Sequence, residues 1–199
     1  MSIAIFDYGA GNLFNIAVAL RRQGLDAKVV DSIPQAPEFD GLVLPGVGNF
    51  RPAMHRLGQY RDRVAELTKQ GRPVLGICLG MQLLFESSEE GPAEGLGLVK
   101  GKVARIPDSV KIPHMGWNQL SISKPNGILE GIGDGSWCYF VHSYYPQTNE
   151  SIIAARTDYG VTFPSVIESE NLIGTQFHPE KSGKTGAALL RNFARILRR

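Results

Sequence analysis

Apolar residues along the chain fall into short runs separated by polar, glycine-containing stretches. Ile3–Phe6 is unbroken apolar and reads as a buried strand. Over Asn12–Gln23, Leu13, Ile16, Ala17 and Leu20 recur at helical spacing, and Gly24 stops the helix. Ala27–Val30 and Leu42–Leu44 read as the next two strands. Pro52–Gln70 reads as one helix, opened by proline and closed by Gly71. Val74–Ile77 is a fourth strand, followed by a helix over Leu79–Glu86. This strand–helix alternation predicts an α/β fold, a mostly parallel central sheet flanked by helices.

The pattern changes near Gly91. Val99–Ile106, Gly116–Ile122, Trp137–His142, Ile152–Arg156, Ser165–Glu168 and Leu172–Phe177 read as short strands with few helical periods between them. They predict a mixed or antiparallel extension of the sheet. Thr185–Leu197 closes the chain as a helix with Leu189, Leu190, Phe193, Ile196 and Leu197 on its inner face.

Composition narrows the class. With 199 residues, residues 1–199 are expected to form one domain. Hydrophobic residues at 43% and charged residues at 20% supply a core and exclude a disordered chain. A net charge of +2 gives no argument for nucleic acid or an anionic membrane. Cys78 and Cys138 are too few for a disulfide framework or a four-cysteine zinc site. Neither a metal nor a cofactor is expected. Asp7 ends the first apolar run, which reads as a strand rather than a signal peptide. No apolar stretch approaches the ~18 residues of a membrane span. A reducing cytoplasm is the expected setting, and there a lone cysteine can serve as a nucleophile.

Gly76-Ile77-Cys78-Leu79-Gly80 sits between a strand and a helix. That is the nucleophile-elbow pattern with cysteine in the serine position. Its glycines permit a strained turn, the helix N-terminus favours a thiolate, and the Leu79 N–H can receive an oxyanion. The alternative is a buried structural cysteine in a tight turn, and Cys138 is expected to be a buried core residue of that kind. Of His55, His114, His142 and His178, only His178 has an acid two residues on, Glu180. Pro179 biases His178 towards extended geometry, where i and i+2 share a face. A Cys-His-acid triad follows, against the alternative of a surface His-Pro-Glu turn. In Leu44-Pro45-Gly46-Val47-Gly48-Asn49-Phe50, Gly46 and Gly48 free backbone N–H groups to face a ligand. Val47 N–H is the candidate second oxyanion donor. The loop and Cys78 both lie beyond the carboxyl ends of strands, where such sheets place their sites.

These segments, with Asp7–Asn12, Pro113–Asn118, Tyr139–Tyr144 and Gly174–Ser182, resemble the triad-type class I glutamine amidotransferases. Within them the chain resembles the glutaminase subunits of imidazole glycerol phosphate synthase. The resemblance implies a flavodoxin-like fold and a reaction. Cys78 attacks the side-chain amide of L-glutamine, a thioester forms, and ammonia passes to a cyclase subunit, a (β/α)8 barrel. There it yields imidazole glycerol phosphate and an aminoimidazole carboxamide ribotide. The resemblance also implies glutamine contacts from Gly46, Gly48, Gln82, Glu90, Ser143 and Tyr144. It implies a partner face at Asn12, Asn15, Trp117 and Lys181.

Rival readings stay open on sequence alone. Asp7–Phe14 and Asp31 carry most of a dinucleotide-binding fingerprint, but Phe14 stands where the third glycine belongs and its bulk is expected to obstruct helix–strand packing. A non-catalytic interaction subunit and a glutaminase serving another acceptor synthase also stay open.

Overall fold

The structure is a computed structural model, described for all residues except 10, 34–37, 92, 126, 149 and 199. Ala10 of the first glycine-rich motif therefore lies outside the described residues. The strands are β1 (Ser2–Phe6), β2 (Asp26–Val30), β3 (Gly41–Leu44), β4 (Val74–Ile77), β5 (Ser87–Ser88), β6 (Ala93–Glu94), β7 (Lys102–Arg105), β8 (His114–Gln119), β9 (Ser121–Ile122), β10 (Trp137–His142), β11 (Tyr144–Gln147), β12 (Ile153–Asp158), β13 (Thr162–Ser169) and β14 (Leu172–Thr175). The α-helices are α1 (Leu13–Arg21), α2 (Phe50–Leu57), α3 (Arg61–Lys69), α4 (Leu79–Gln82) and α5 (Gly183–Ile196).

The main sheet runs β2-β1-β3-β4-β14-β13-β12-β9. Its first five strands are parallel, in the flavodoxin-like order, and its last three pair antiparallel. The mixed extension expected after Gly91 is thus present, accompanied by a separate β10-β8 ribbon and a small β11-β7-β5-β6 sheet. The parallel strands are apolar on both faces because both faces are covered. On β1, Ile3 and Ile5 join the core beneath α1 and α5, while Ala4 and Phe6 join the core beneath α2 and α3. Among the described residues no helix is long and apolar enough to cross a membrane.

Several expected elements are corrected. Pro52–Gln70 is not one helix: a 3₁₀ turn at Gly58–Tyr60 separates α2 from α3, and Pro52 is the third residue of α2. The hydrophobic period runs through the break, with Met54, Leu57, Val64 and Leu67 all buried, so the pattern masked it. The helix expected over Leu79–Glu86 is a single turn ending at Gln82. Beyond it the carbonyls of Leu83 and Leu84 accept from the N–H groups of Leu96, Leu98 and Val99 instead of continuing a helical ladder. The strand expected over Val99–Ile106 is confined to Lys102–Arg105, and Gly116–Ile122 is divided between β8 and β9 at Leu120. Phe14 does not obstruct α1 packing: it points outward at 74% exposure, and Ile16, Ala17 and Leu20 make the helix–sheet contact.

Candidate active site

Cys78 joins β4 to α4 with φ 50° and ψ −104°. For a non-glycine residue this region costs on the order of 1–3 kcal/mol and persists only where the surroundings enforce it. The enforcement is backbone against backbone. A Cβ on Gly80 would lie 1.9 Å from the Leu44 carbonyl oxygen, and one on Gly46 would lie 1.7 Å from that of Ile77. A Cβ on Gly76 would lie 2.6 Å from the Gly80 carbonyl oxygen. The ends of β3 and β4 and the start of α4 therefore interlock at distances only glycine allows. Gly46 serves this close approach as well as the cavity wall, a steric role that its place in the sequence does not reveal. The Cys78 N–H donates to the Thr175 carbonyl at 2.6 Å, tying the elbow to β14.

Next to β4 in the sheet, β14 leads into Gln176–His178. His178 is extended (φ −97°, ψ 99°), but Pro179–Lys181 forms a 3₁₀ turn rather than continuing extended. The turn still delivers the Glu180 carboxylate to His178 Nδ1 at 2.8 Å. Both side chains are buried. Segment 178–182 is pinned to β10: His178 N–H donates to the Tyr139 carbonyl at 2.9 Å, and Tyr139 N–H to Ser182 Oγ at 3.0 Å. Burial alone would push the His178 ring down, but the negative sulfur of Cys78 and the Glu180 carboxylate outweigh it and hold the ring well above its ordinary value. His178 thus favours the imidazolium form beside the sulfur. Tyr8, also buried, has its phenol pushed well above the usual range by burial and then by the charge of Cys78.

A cavity of about 300 Å³ opens over Cys78. Gly46, Val47, Gly48, Leu79, Gln82, Glu90, Ser143 and Tyr144 all line it, so the structure gathers the expected oxyanion and glutamine residues around one space. Glu90 is half-buried, which raises its carboxyl, and its Oε2 accepts from the Phe50 N–H at 2.9 Å at the start of α2. Gln82 spends its amide nitrogen within the protein, on the Tyr144 carbonyl at 2.8 Å and Gln176 Oε1 at 3.1 Å. Only its oxygen remains for the cavity. Ser143 joins β10 to β11, which Tyr144 opens, and the Ser143 carbonyl accepts from Ile106 N–H at 2.9 Å. Cys138 is fully buried and its thiol is pushed up to about 12 by burial.

Of the four residues assigned to a partner face, Asn12 caps α1, its side chain accepting from the Asn15 N–H at 3.2 Å, and both are exposed. Trp117 is 53% exposed and packs edge-on against Tyr139, 5.9 Å between ring centroids. Lys181 Nζ lies 5.7 Å from the centroid of the same Tyr139 ring. Tyr139 and exposed Met115 complete this surface, and sequence reasoning missed both. Their signal is present as the odd positions of two paired strands, readable only once the β8–β10 pairing is known. Gln176, also missed, points its amide at Cys78 Sγ at 3.5 Å.

The family model of the class I glutamine amidotransferases matches residues 4–197. The imidazole glycerol phosphate synthase subunit HisH of Methanothermobacter thermautotrophicus is 52% identical over 198 residues, 98% of this chain and 99% of its own length. HisH of Archaeoglobus fulgidus is 48% identical over 199 residues, covering 99% and 100%. A solved glutamine amidotransferase superposes with a TM-score of 0.78 at 21% identity, covering 99% of each chain, which shows a shared fold. The chain belongs to the class I glutamine amidotransferases, in the HisH family of imidazole glycerol phosphate synthase subunits.

Proposed function

We propose that the 199 residues act as one glutaminase domain that hydrolyses L-glutamine to glutamate and ammonia. The observation that carries this is the strained Cys78 elbow in the wall of an amino-acid-sized cavity, interacting with a buried His178–Glu180 pair behind it. The sulfur, as thiolate beside imidazolium, attacks the side-chain amide carbon of glutamine. The carbonyl electrons move to oxygen, stabilised by the N–H groups of Leu79 and Val47. His178 gives its proton to the amide nitrogen, the C–N bond breaks, and ammonia leaves a thioester. Water then attacks, His178 takes its proton, and the C–S bond breaks to release glutamate and restore the thiolate. Glu180 fixes the ring so that Nε2 faces the sulfur. Glu90 offers a negative charge to the substrate ammonium group. Gly46, Gly48, Ser143, Tyr144 and the Gln82 oxygen complete the glutamine pocket.

The HisH relatives are named as subunits, which supports a second subunit as the acceptor of the ammonia made here. We infer that this is the cyclase of imidazole glycerol phosphate synthase, that the two work in the cytoplasm, and that the partner docks over Asn12, Asn15, Trp117 and Lys181. The test is glutamate production by the chain with and without that cyclase. Cys78→Ala is expected to abolish glutamate release while the complex still makes imidazole glycerol phosphate from added ammonia. Retained glutamate release in Cys78→Ala would overturn the reading. Product formation with another acceptor synthase, and none with this cyclase, would reassign the partner.

A further inference from the structure

The Tyr144 carbonyl is the fixed point of a hydrogen-bond chain that ends on the nucleophile. A carbonyl only accepts. Gln82 reaches it at 2.8 Å, so the Gln82 amide must present its nitrogen there, and that same nitrogen faces Gln176 at 3.1 Å. Gln176 must therefore turn its oxygen to Gln82. Its nitrogen is left pointing at Cys78 Sγ, 3.5 Å away. Each amide orientation follows from the one before, and none is free to reverse without setting two acceptors against each other.

The carbonyl is itself held from the other side. Asn118 Oδ1 accepts from the Gln119 N–H at 2.8 Å, which turns Asn118 Nδ2 towards His114 Nε2 at 3.2 Å. His114 then carries its proton on Nδ1 and donates to His142 Nε2 at 3.0 Å. His142 in turn donates from Nδ1 to the Tyr144 carbonyl at 2.8 Å. Both rings are neutral in this arrangement, as burial of each requires. Because two donors converge on one carbonyl, the chain cannot pass a proton to the substrate; it can only hold an orientation.

We propose that Gln176 is a further catalytic residue, whose amide N–H donates to the Cys78 sulfur and holds it as the thiolate, with Gln82 and the Tyr144 carbonyl as positioning groups. This rests on Cys78 being the nucleophile. The short α4 is one reason the sulfur needs such a donor: one helical turn presents little dipole to it. Gln176 is fully buried and has no part in the cavity wall, so a role in binding glutamine is not what keeps a polar amide there.

The test is alkylation of Cys78 by iodoacetamide across pH in the full chain, followed by mass spectrometry of the Cys78 peptide, beside steady-state kinetics in the complex. Gln176→Met keeps side-chain length and removes the donor. Alkylation at neutral pH is expected to fall about tenfold, the worth of a hydrogen bond to a charged group, and to recover at higher pH. The kcat should fall by a similar factor with KM for glutamine within about threefold. Gln176→Met with a wild-type alkylation profile would overturn the proposal. Should that variant fail to fold, Gln82→Met releases the Gln176 amide from its guide and must displace the profile in the same direction; an unmoved profile again overturns it. Alkylation reads the sulfur without glutamine, so failure of the glutaminase reading and failure of this one are distinguishable.

Discussion

Gly80 is the position where one methyl group tests the architecture of the elbow. A Cβ there would sit 1.9 Å from the Leu44 carbonyl oxygen and 2.7 Å from its carbon, whereas ordinary contact begins at 3.4 Å. The start of α4 would have to withdraw from β3 by about 1.5 Å, the difference between 3.4 and 1.9. Leu44 cannot yield, since it ends a strand paired to β4 and its Leu44–Gly76 register is fixed. Helix propensity works the other way, favouring alanine over glycine by about 1 kcal/mol. Overpacking of a close-packed interior costs about 1–3 kcal/mol. The net is a loss of roughly 0–2 kcal/mol, or a fall in Tm of up to about 8 °C for a chain of this length. The effect on turnover should be far larger. Displacing the residue two positions from Cys78 by more than an ångström removes the alignment of sulfur with His178, and misplacements of that size cost on the order of 100-fold. Gly58→Ala is the matched control: its backbone is helical (φ −58°) and the nearest atom to a new Cβ is Met54 Cε at 3.7 Å. It should gain about 0.5–1 kcal/mol and leave turnover unchanged. The assays are thermal unfolding followed by circular dichroism and glutamate release in the complex. Gly80→Ala with wild-type Tm and turnover would show that the approach of α4 to β3 does not set the position of Cys78.

Two further outcomes follow from the charges of the site. Cys78→Ala should lower the titration of His178, because the negative sulfur is removed while burial still pushes the ring down; an unchanged ring titration by NMR would refute the pairing. His114 and His142 are lowered by burial to about 4 and about 3, while in the unfolded chain they titrate near ~6.5, so the unfolded state binds more protons below that pH. Their contribution to stability is whole above about pH 6.5 and is lost as pH falls towards 4 and 3; the urea midpoint should drop over that window, and more steeply than in His114→Gln/His142→Gln. Equal slopes in the two proteins would contradict neutral burial.

Those features of the site that depend on neighbours in sequence were legible from sequence. The elbow needs Gly76, Cys78 and Gly80 within five positions, and the His178–Glu180 pair needs two residues with a proline between them. Even there the route differed: Glu180 reaches His178 from a 3₁₀ turn, not from an extended segment. Features set by backbone bonding across the chain were not legible. The run after Gln82 looks helical because Leu83, Leu84 and Phe85 are apolar, yet its backbone bonds to 95–99 while the three side chains enter the core shared with α2 and α3. Gln176 carries no local signal either, since its contact with Cys78 spans 98 positions and exists only because β14 pairs with β4.

The β8–β10 ribbon shows how few strands separate the proposed partner from the proposed chemistry. Alternation along a strand sends odd and even positions to opposite faces. On the outer face the pairs Trp117–Tyr139 and Met115–Val141 form a surface over which Lys181 lies. On the inner face the pair His114–His142 holds the Tyr144 carbonyl. The Val141 carbonyl of the same strand faces Cys78 Sγ at 3.7 Å, and the Tyr139 carbonyl holds the His178 N–H. Sulfur, histidine and glutamine wall therefore all take a backbone or side-chain reference from one strand, β10. The main sheet gives the elbow its strain and rigidity, but it is not bonded to that strand: among the described residues β10 pairs only with β8. A two-stranded ribbon is less constrained than a central strand of an eight-stranded sheet. The outer face of β10 and the three groups whose alignment the reaction needs therefore share one two-stranded ribbon, apart from the sheet that fixes the elbow.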